Sequence, residues 1–173
     1  LPAKGPGISS NNESSLRRVN VSARQIIRQR RSAVSFDGIT SISSREFYTI
    51  LLHTRQGRDE SEIPYDSVSW APQIHFCMFV HRVRGLVPGL YFLVRNPEAL
   101  DLFVKSTKEK FIWKKPEDCP EGLDLYLLEE GNFQKIAAQV SCTQEIAGQS
   151  AFSLGMIAHF LPPIAEQGDW FYR

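Results

Sequence analysis

The sequence predicts an α+β fold with a central, largely antiparallel sheet flanked by helices. Residues 74–83 have the alternation and the β-branched and aromatic content of a strand, and the Pro88-Gly89 pair turns the chain into a partner strand over 90–94. Helical and strand segments are mixed without the strict strand–helix–strand rhythm of a parallel sheet. A chain of 173 residues with 42% hydrophobic content has room for one hydrophobic core.

The first twenty residues differ in composition from the rest of the chain. Residues 1–20 are rich in Pro, Gly, Ser and Asn and show no apolar period, so we expect a flexible arm or linker there. The domain itself is expected over residues 21–173. Ser22 is placed to cap a first helix that carries Ile26 and Ile27 on its inner face.

Further helices are indicated by capping residues. Ser43 and Glu46 have the spacing of a capping box, which predicts a second amphipathic helix. Its apolar positions recur at three-and-four spacing, at Phe47, Ile50, Leu51 and Thr54. Asn96 followed by Pro97 predicts the start of a third helix. Downstream we expect a strand over 123–128, a helix over 133–141 and a core strand over 151–160.

Net charge and hydropathy exclude several classes of partner. Twenty basic and 19 acidic residues give a formal charge of +1, which favours neither nucleic acid nor an anionic membrane. No apolar run reaches membrane-spanning length, and the start at Leu1-Pro2 has no signal-type apolar core, so we expect a cytoplasmic protein. Three cysteines without CxxC spacing suggest reduced thiols.

Metal-dependent and nucleophilic chemistry are not supported by the sequence. His75, Cys77 and His81 share one face of a predicted strand, but His75 and His81 would lie about 20 Å apart at ~3.3 Å per residue. No metal site is predicted. Ser150 follows Gly148, but Phe152 stands where a nucleophile elbow needs its second glycine, which disfavours a hydrolase. The lysines between 105 and 115 are expected on a solvated helix end and loop.

The strongest functional signal is the tripeptide Arg30-Arg31-Ser32, called here the basic tripeptide. Two guanidiniums and a hydroxyl together suit the oxygens of one phosphate group. The structural alternative is a pair of solvated arginines that offset the negative end of a helix dipole. The order of other motifs argues for the first interpretation.

Three motifs follow the basic tripeptide in a characteristic order. A serine-containing loop, Asp66-Ser67-Val68-Ser69-Trp70, precedes the predicted strand, and the hairpin Gly85-Leu86-Val87-Pro88-Gly89-Leu90-Tyr91 follows it. The segment 141–158 adds a helix and a strand. In this order the motifs resemble the nitroreductase-like FMN flavoproteins, and most of all the SagB-type peptide-azoline dehydrogenases. The resemblance covers roughly Val21 to Arg173.

The resemblance implies a cofactor and a reaction. Arg30, Arg31 and Ser32 would hold the FMN phosphate and ribityl region, and Ser67, Ser69 and Trp70 would meet the isoalloxazine ring. The reaction would be two-electron transfer from NAD(P)H, or from a peptide azoline, to a small-molecule or peptide acceptor. No catalytic residue is assigned.

Departures from the family pattern support a second hypothesis. Val34 stands where family members often place a cation near the flavin, and Asp66 introduces a carboxylate into the loop. The alternative is therefore a degenerate flavoprotein-like domain that serves as a non-catalytic scaffold or pairing module.

The resemblance also implies that the domain is incomplete at its C-terminus. We expect 168–173 to lead into a further helix, and the apolar residues of 152–160 to be covered by that segment or by a second chain. A homodimer, or pairing with a second nitroreductase-like domain, is the expected arrangement.

Overall fold

The computed structural model describes residues 21–55, 70–158 and 160–172. The chain divides into two compact units between Ser32 and Ala33. Helix α1 (Ala23–Gln29) belongs to the first unit, and every other helix and strand described below belongs to the second. The predicted arm over 1–20 lies outside the described residues, and the domain boundary at residue 21 stays a prediction.

Helix α1 begins where the sequence predicted. The Ser22 hydroxyl accepts a hydrogen bond from the backbone N–H of Gln25 at 3.2 Å, as an N-cap residue does. The expected buried face is wrong, because Ile26 is 53% exposed and Ile27 76% exposed. A two-turn helix offers little surface for packing, and α1 has no buried residue.

A four-stranded antiparallel sheet forms the centre of the second unit. Its strands are β2 (Ile74–Val80), β4 (Gly89–Val94), β5 (Asp124–Glu130) and β6 (Phe152–Ala158), in the order β5-β4-β2-β6. All neighbouring pairs are antiparallel, which confirms the α+β class and the predicted hairpin. A small parallel pair joins β1 (Ile42–Ser43) to β3 (Val83–Arg84).

The predicted strand over 74–83 is interrupted. β2 ends at Val80, and the backbone N–H groups of His81 and Arg82 both donate to the carbonyl oxygen of Ala151. This shared acceptor turns the chain out of the large sheet. Val83 then pairs with Ile42 in the small parallel pair.

Helices cover both faces of the sheet. Helix α2 (Ser44–Leu52) starts at the predicted capping box, in which the Ser43 and Glu46 side chains each bond the other residue's backbone N–H. Its buried residues Phe47 and Leu51 belong to the core on one face of the sheet. Ile50, expected inside, is 45% exposed.

The second face carries a smaller apolar cluster. Phe92, Val94 and Leu128 form its buried part, and Phe103 of α3 (Leu100–Ser106) packs on it. A 3-10 turn over Pro97–Ala99 precedes α3, and the Asn96 side chain accepts from the Glu98 N–H at 3.2 Å. The predicted cap at Asn96 is confirmed.

The remaining helices follow β5 and β6. They are α4 (Gln134–Val140), α5 (Glu145–Gln149) and α6 (Leu161–Gln167), with a final 3-10 turn over Asp169–Tyr172. Helix α4 and strand β5 lie where the sequence predicted them, within a few residues at each end. Among the described residues, every helix is too short or too polar to span a bilayer.

The strand expected over 151–160 is present as β6, and its expected cover by a further segment or a second chain stays a prediction. β6 spans Phe152–Ala158 and is the last strand of the sheet, with a neighbour on one side. Leu154 is 45% exposed and Met156 71% exposed. Apolar content alone does not separate a central strand from an edge strand, because the distinction depends on which elements lie beside it.

Candidate functional site

Two members of the basic tripeptide present donors close together at the end of α1. The Arg30 backbone N–H closes the last turn of the helix on the Ile26 carbonyl at 2.9 Å. The Arg30 guanidinium Nη1 lies 3.5 Å from the Ser32 hydroxyl oxygen. Both side chains are exposed to solvent. A guanidinium and a hydroxyl at this separation can donate to two oxygens of one phosphate group.

Arg31 is oriented differently. Its Nη1 donates to the carbonyl oxygens of Arg28 at 2.8 Å and Arg30 at 2.9 Å. These carbonyls belong to the last turn and C-cap of α1, where helix acceptors lack intrahelical partners. In this conformation Arg31 therefore plays the helix-capping role of the structural alternative, while Arg30 and Ser32 keep the arrangement expected for phosphate binding.

The tripeptide fits one part of FMN. An exposed guanidinium beside a hydroxyl suits a phosphate monoester, which carries its charge on terminal oxygens. Around it, the described residues 21–32 of the first unit include no buried side chain that could form a wall for a flavin ring. The fit is thus to the phosphate end of the cofactor.

The predicted ring-contacting residues are only partly described. Ser67 and Ser69 lie outside the described residues, as does Asp66. Trp70 directly precedes the segment that enters β2, and its side chain is 45% exposed. Val34, the departure near the flavin, is 94% exposed.

A polar turn that the sequence reasoning missed follows the basic tripeptide in the chain. The Asp37 carboxylate accepts from the backbone N–H groups of Ile39 at 2.9 Å and Thr40 at 2.8 Å, and from the Thr40 hydroxyl. The Thr40 hydroxyl is the main cause that lowers the pKa of Asp37 to about 2, and the two N–H groups add to it. The sequence Asp37-Gly38-Ile39-Thr40 is typical of an Asx turn, so this turn could have been predicted from the sequence.

Arg82 holds this turn against the end of α5. Its Nε donates to the Thr40 carbonyl oxygen at 3.2 Å, and its Nη2 donates to the carbonyl oxygen of Gln149. Its Nη1 is buried and has no hydrogen-bond partner among the described residues. Within the second unit, one arginine therefore joins the segment after Asp37 to the end of α5.

The hairpin that carries the resemblance lines a cavity of about 330 Å³. Gly85, Leu86, Val87 and Tyr91 are among the residues that line it. The Tyr91 hydroxyl donates to the Val87 carbonyl at 2.7 Å, and burial raises the pKa of Tyr91 to about 12. Tyr91 is neutral at physiological pH and stabilises the hairpin, so it is not a ready proton donor.

Both buried histidines have structural partners. The Nδ1 atom of His75 accepts from the Arg95 backbone N–H at 3.2 Å, and the His81 Nε2 atom lies 3.2 Å from the Ala147 carbonyl oxygen. Burial is the main cause that lowers the pKa of His81. Across residues 21–55, 70–158 and 160–172, His, Cys, Asp and Glu side chains do not gather into a group of three that could hold a metal ion.

No protein-family model matches the chain, and no curated protein matches it. The functional argument therefore depends on the residues themselves and on the motif order described above.

Proposed function

We propose that this chain is an FMN-dependent oxidoreductase domain of the nitroreductase type, close to the SagB-type azoline dehydrogenases. Its reaction is two-electron transfer between NAD(P)H, or a peptide azoline, and an acceptor in the cytoplasm. The observation that carries the proposal is the pair of donors on Arg30 and Ser32, 3.5 Å apart at the end of α1. Its second support is the order of the motifs along the sequence.

In this proposal the protein binds and orients the flavin, which supplies the electron transfer when bound. Arg30 and Ser32 hold the phosphate. Arg31 would join them after giving up its hydrogen bonds to the Arg28 and Arg30 carbonyl oxygens. Those two oxygens would then accept hydrogen bonds from water. The resemblance assigns the contacts with the ring to Ser67, Ser69 and Trp70. Val34 stands where the resemblance would place a cation, so this position would offer a bound flavin less electrostatic stabilisation than in a typical member.

A comparison of three flavins tests the proposal. FMN and riboflavin share the ring and the ribityl chain and differ in the phosphate, while FAD extends the phosphate into a dinucleotide. We expect quenching of flavin fluorescence to saturate with FMN at a much lower concentration than with riboflavin or FAD. Equal affinities for FMN and riboflavin would show that the protein does not recognise the phosphate group. No quenching by any of the three flavins would contradict the proposal as a whole.

A second candidate function is favoured by one observation, the outer edge of β6, along which no described strand pairs. In this function the domain is a non-catalytic pairing module, and its partner is a second copy of the chain. Residues 152–158 carry no charged side chain, and Leu154 and Met156 continue the apolar face of the sheet without cover. Two such edges can pair without like-charge repulsion.

The opposite edge of the sheet, formed by β5, is covered, whereas the edge formed by β6 is exposed. Lys114 and Leu127 exchange backbone hydrogen bonds along the outer side of β5, at 3.1 and 2.8 Å. The Lys110 ammonium group is paired with the Glu129 carboxylate at 2.8 Å on the same edge. Natural proteins block sheet edges with short strands, charges and covering segments, and an open apolar edge is a template for pairing.

Light scattering after size-exclusion chromatography tests the pairing function. We expect a concentration-dependent dimer, and we expect Met156→Lys to dissociate it because the new charge lies on the open strand. Val140→Lys is the matched control, since Val140 is 65% exposed on α4. A wild-type monomer at tens of micromolar, or equal loss of dimer in both variants, would contradict self-pairing through β6.

A further inference from the structure

A second cavity, lined in part by two arginines, lies in the second unit away from the hairpin. It encloses about 190 Å³ at the end of β4, enough for roughly six water molecules. Its apolar lining comes from Leu93, Leu123 and neighbouring residues. Two arginines, Arg55 and Arg95, are also among the residues that line this cavity.

Arg95 is fixed in place by three contacts. Its Nε donates to the Thr54 carbonyl oxygen at 3.0 Å, and its Nη1 donates to the Ile74 carbonyl oxygen at 3.2 Å. Its guanidinium carbon also lies 5.1 Å from the centre of the Phe76 ring. The side chain therefore loses little further freedom when a ligand binds.

Arg55 is fixed by a glycine on the facing segment. Its Nη1 donates to the Gly122 carbonyl oxygen at 3.0 Å. Gly122 has φ +84°, and a Cβ atom built there would lie 2.0 Å from Arg55 Nη1. Any other residue at 122 displaces this guanidinium and is also strained in its backbone.

The charges around the cavity do not balance. Asp124 is the single carboxylate among the described lining residues, and its Oδ1 atom lies 3.7 Å from the Lys115 ammonium group. Within the described ranges, neither Arg55 nor Arg95 is ion-paired with a carboxylate. Among the described residues, two arginines held by backbone carbonyls thus line one small space, and neither has a carboxylate ion-paired to it.

We propose that this cavity binds a small oxyanion, namely a free phosphate or the phosphate group of a small monoester. Guanidiniums present paired N–H donors in a plane that matches phosphate oxygens, and a charge-assisted hydrogen bond is about twice as strong as a neutral one. The apolar lining limits the room for competing water. The site is independent of the basic tripeptide and of the FMN proposal.

Phosphate titrations followed by backbone amide NMR at constant ionic strength test this site. The probes are inorganic phosphate and phenyl phosphate, with chloride as the reference anion. We expect saturable shifts of the Gly122 and Asp124 amides with both phosphates. Arg55→Gln and Gly122→Ala should each weaken the apparent affinity at least fivefold, whereas Arg45→Gln, an exposed arginine on α2, should leave it unchanged.

A further variant separates this site from the FMN proposal. In Arg30→Ala the Gly122 shifts should persist, because that side chain belongs to the basic tripeptide. Loss of FMN binding with intact Gly122 shifts would leave this site standing. Absence of saturation by either phosphate up to tens of millimolar, or unchanged saturation in a folded Arg55→Gln protein, would overturn it. Saturation by inorganic phosphate alone would assign the site to the free ion.

Discussion

The Tyr48 hydroxyl donates a 2.7 Å hydrogen bond to Asp118 Oδ1, joining α2 to the segment that leads into β5. Tyr48 is only 4% exposed and belongs to the main core, whereas Asp118 is at the surface. Burial is the first cause that raises the pKa of Tyr48, and the bond to Asp118 adds to it. The phenol therefore stays neutral and remains a donor throughout the physiological range.

We predict that Tyr48→Phe lowers the free energy of unfolding by about 0.5–1.5 kcal/mol. The ring keeps its packing, and exposed Asp118 regains water, so the loss is that of one ordinary hydrogen bond. Urea denaturation measures the change. Tyr126→Phe is the control, because Tyr126 packs on the smaller apolar cluster. Equal losses in both variants would mean that the Asp118 bond contributes nothing.

Two strand glycines should respond in opposite ways to alanine. A Cβ atom at Gly89 would lie 2.5 Å from the Glu129 carbonyl oxygen and 2.9 Å from Leu127 Cδ1, whereas at Gly155 it would meet no heavy atom within 4 Å. We expect Gly89→Ala to destabilise the protein by about 1–3 kcal/mol through overpacking. Gly155→Ala should be neutral or stabilise it by up to ~1 kcal/mol, since alanine reduces the freedom of the unfolded chain. Thermal unfolding of both variants gives the comparison, and a reversed order would contradict the packing of β4 on β5.

The Asp37 turn should lose its contribution to stability only in strong acid. The pKa of Asp37 is lowered from 3.8 to about 2, so the folded state favours the carboxylate. The contribution is complete above pH ~4 and is lost as the pH falls from about 4 to about 2. We expect the carboxyl ¹³C resonance of Asp37 to titrate near 2.

The Thr40 hydroxyl is the largest cause of this shift, which gives a direct test. Thr40→Val removes the hydroxyl and keeps both backbone donors, so the pKa of Asp37 should rise part of the way toward 3.8. Ser35→Ala, a nearby change outside the turn, should leave it in place. A titration midpoint near 3.8 in the wild type would show that the turn does not form in solution.

Local signals predicted local structure well. The caps at Ser22, Ser43 and Asn96 depend on residues within three positions of each other, and all three are present. The place of β6 in the sheet was harder to predict, because it has the apolar content of a core strand and yet lies at an edge. Its exposure depends on the strand order, which no local pattern contains.

Of the two candidate sites, one could likewise be predicted from local sequence, whereas the other depends on the fold. The proximity of Arg30 and Ser32 follows from positions two residues apart at a helix end, so the tripeptide could be found in the sequence. The contact between Arg55 and Gly122 joins residues 67 positions apart, and neither residue belongs to a recognisable motif. Such a site becomes visible only when the fold brings the two segments together.

The measurement closest to the central claim is an FMN titration of three proteins, the wild type, Arg30→Ala and Arg24→Ala. Both arginines are exposed on or beside α1, but Arg24 lies in its first turn, away from Ser32. Removing one charge-assisted hydrogen bond costs about 1.5–3 kcal/mol, so Arg30→Ala should weaken FMN binding roughly 10- to 150-fold. Arg24→Ala should bind like the wild type. Wild-type affinity in Arg30→Ala, or equal weakening in both variants, would contradict a phosphate site at the basic tripeptide.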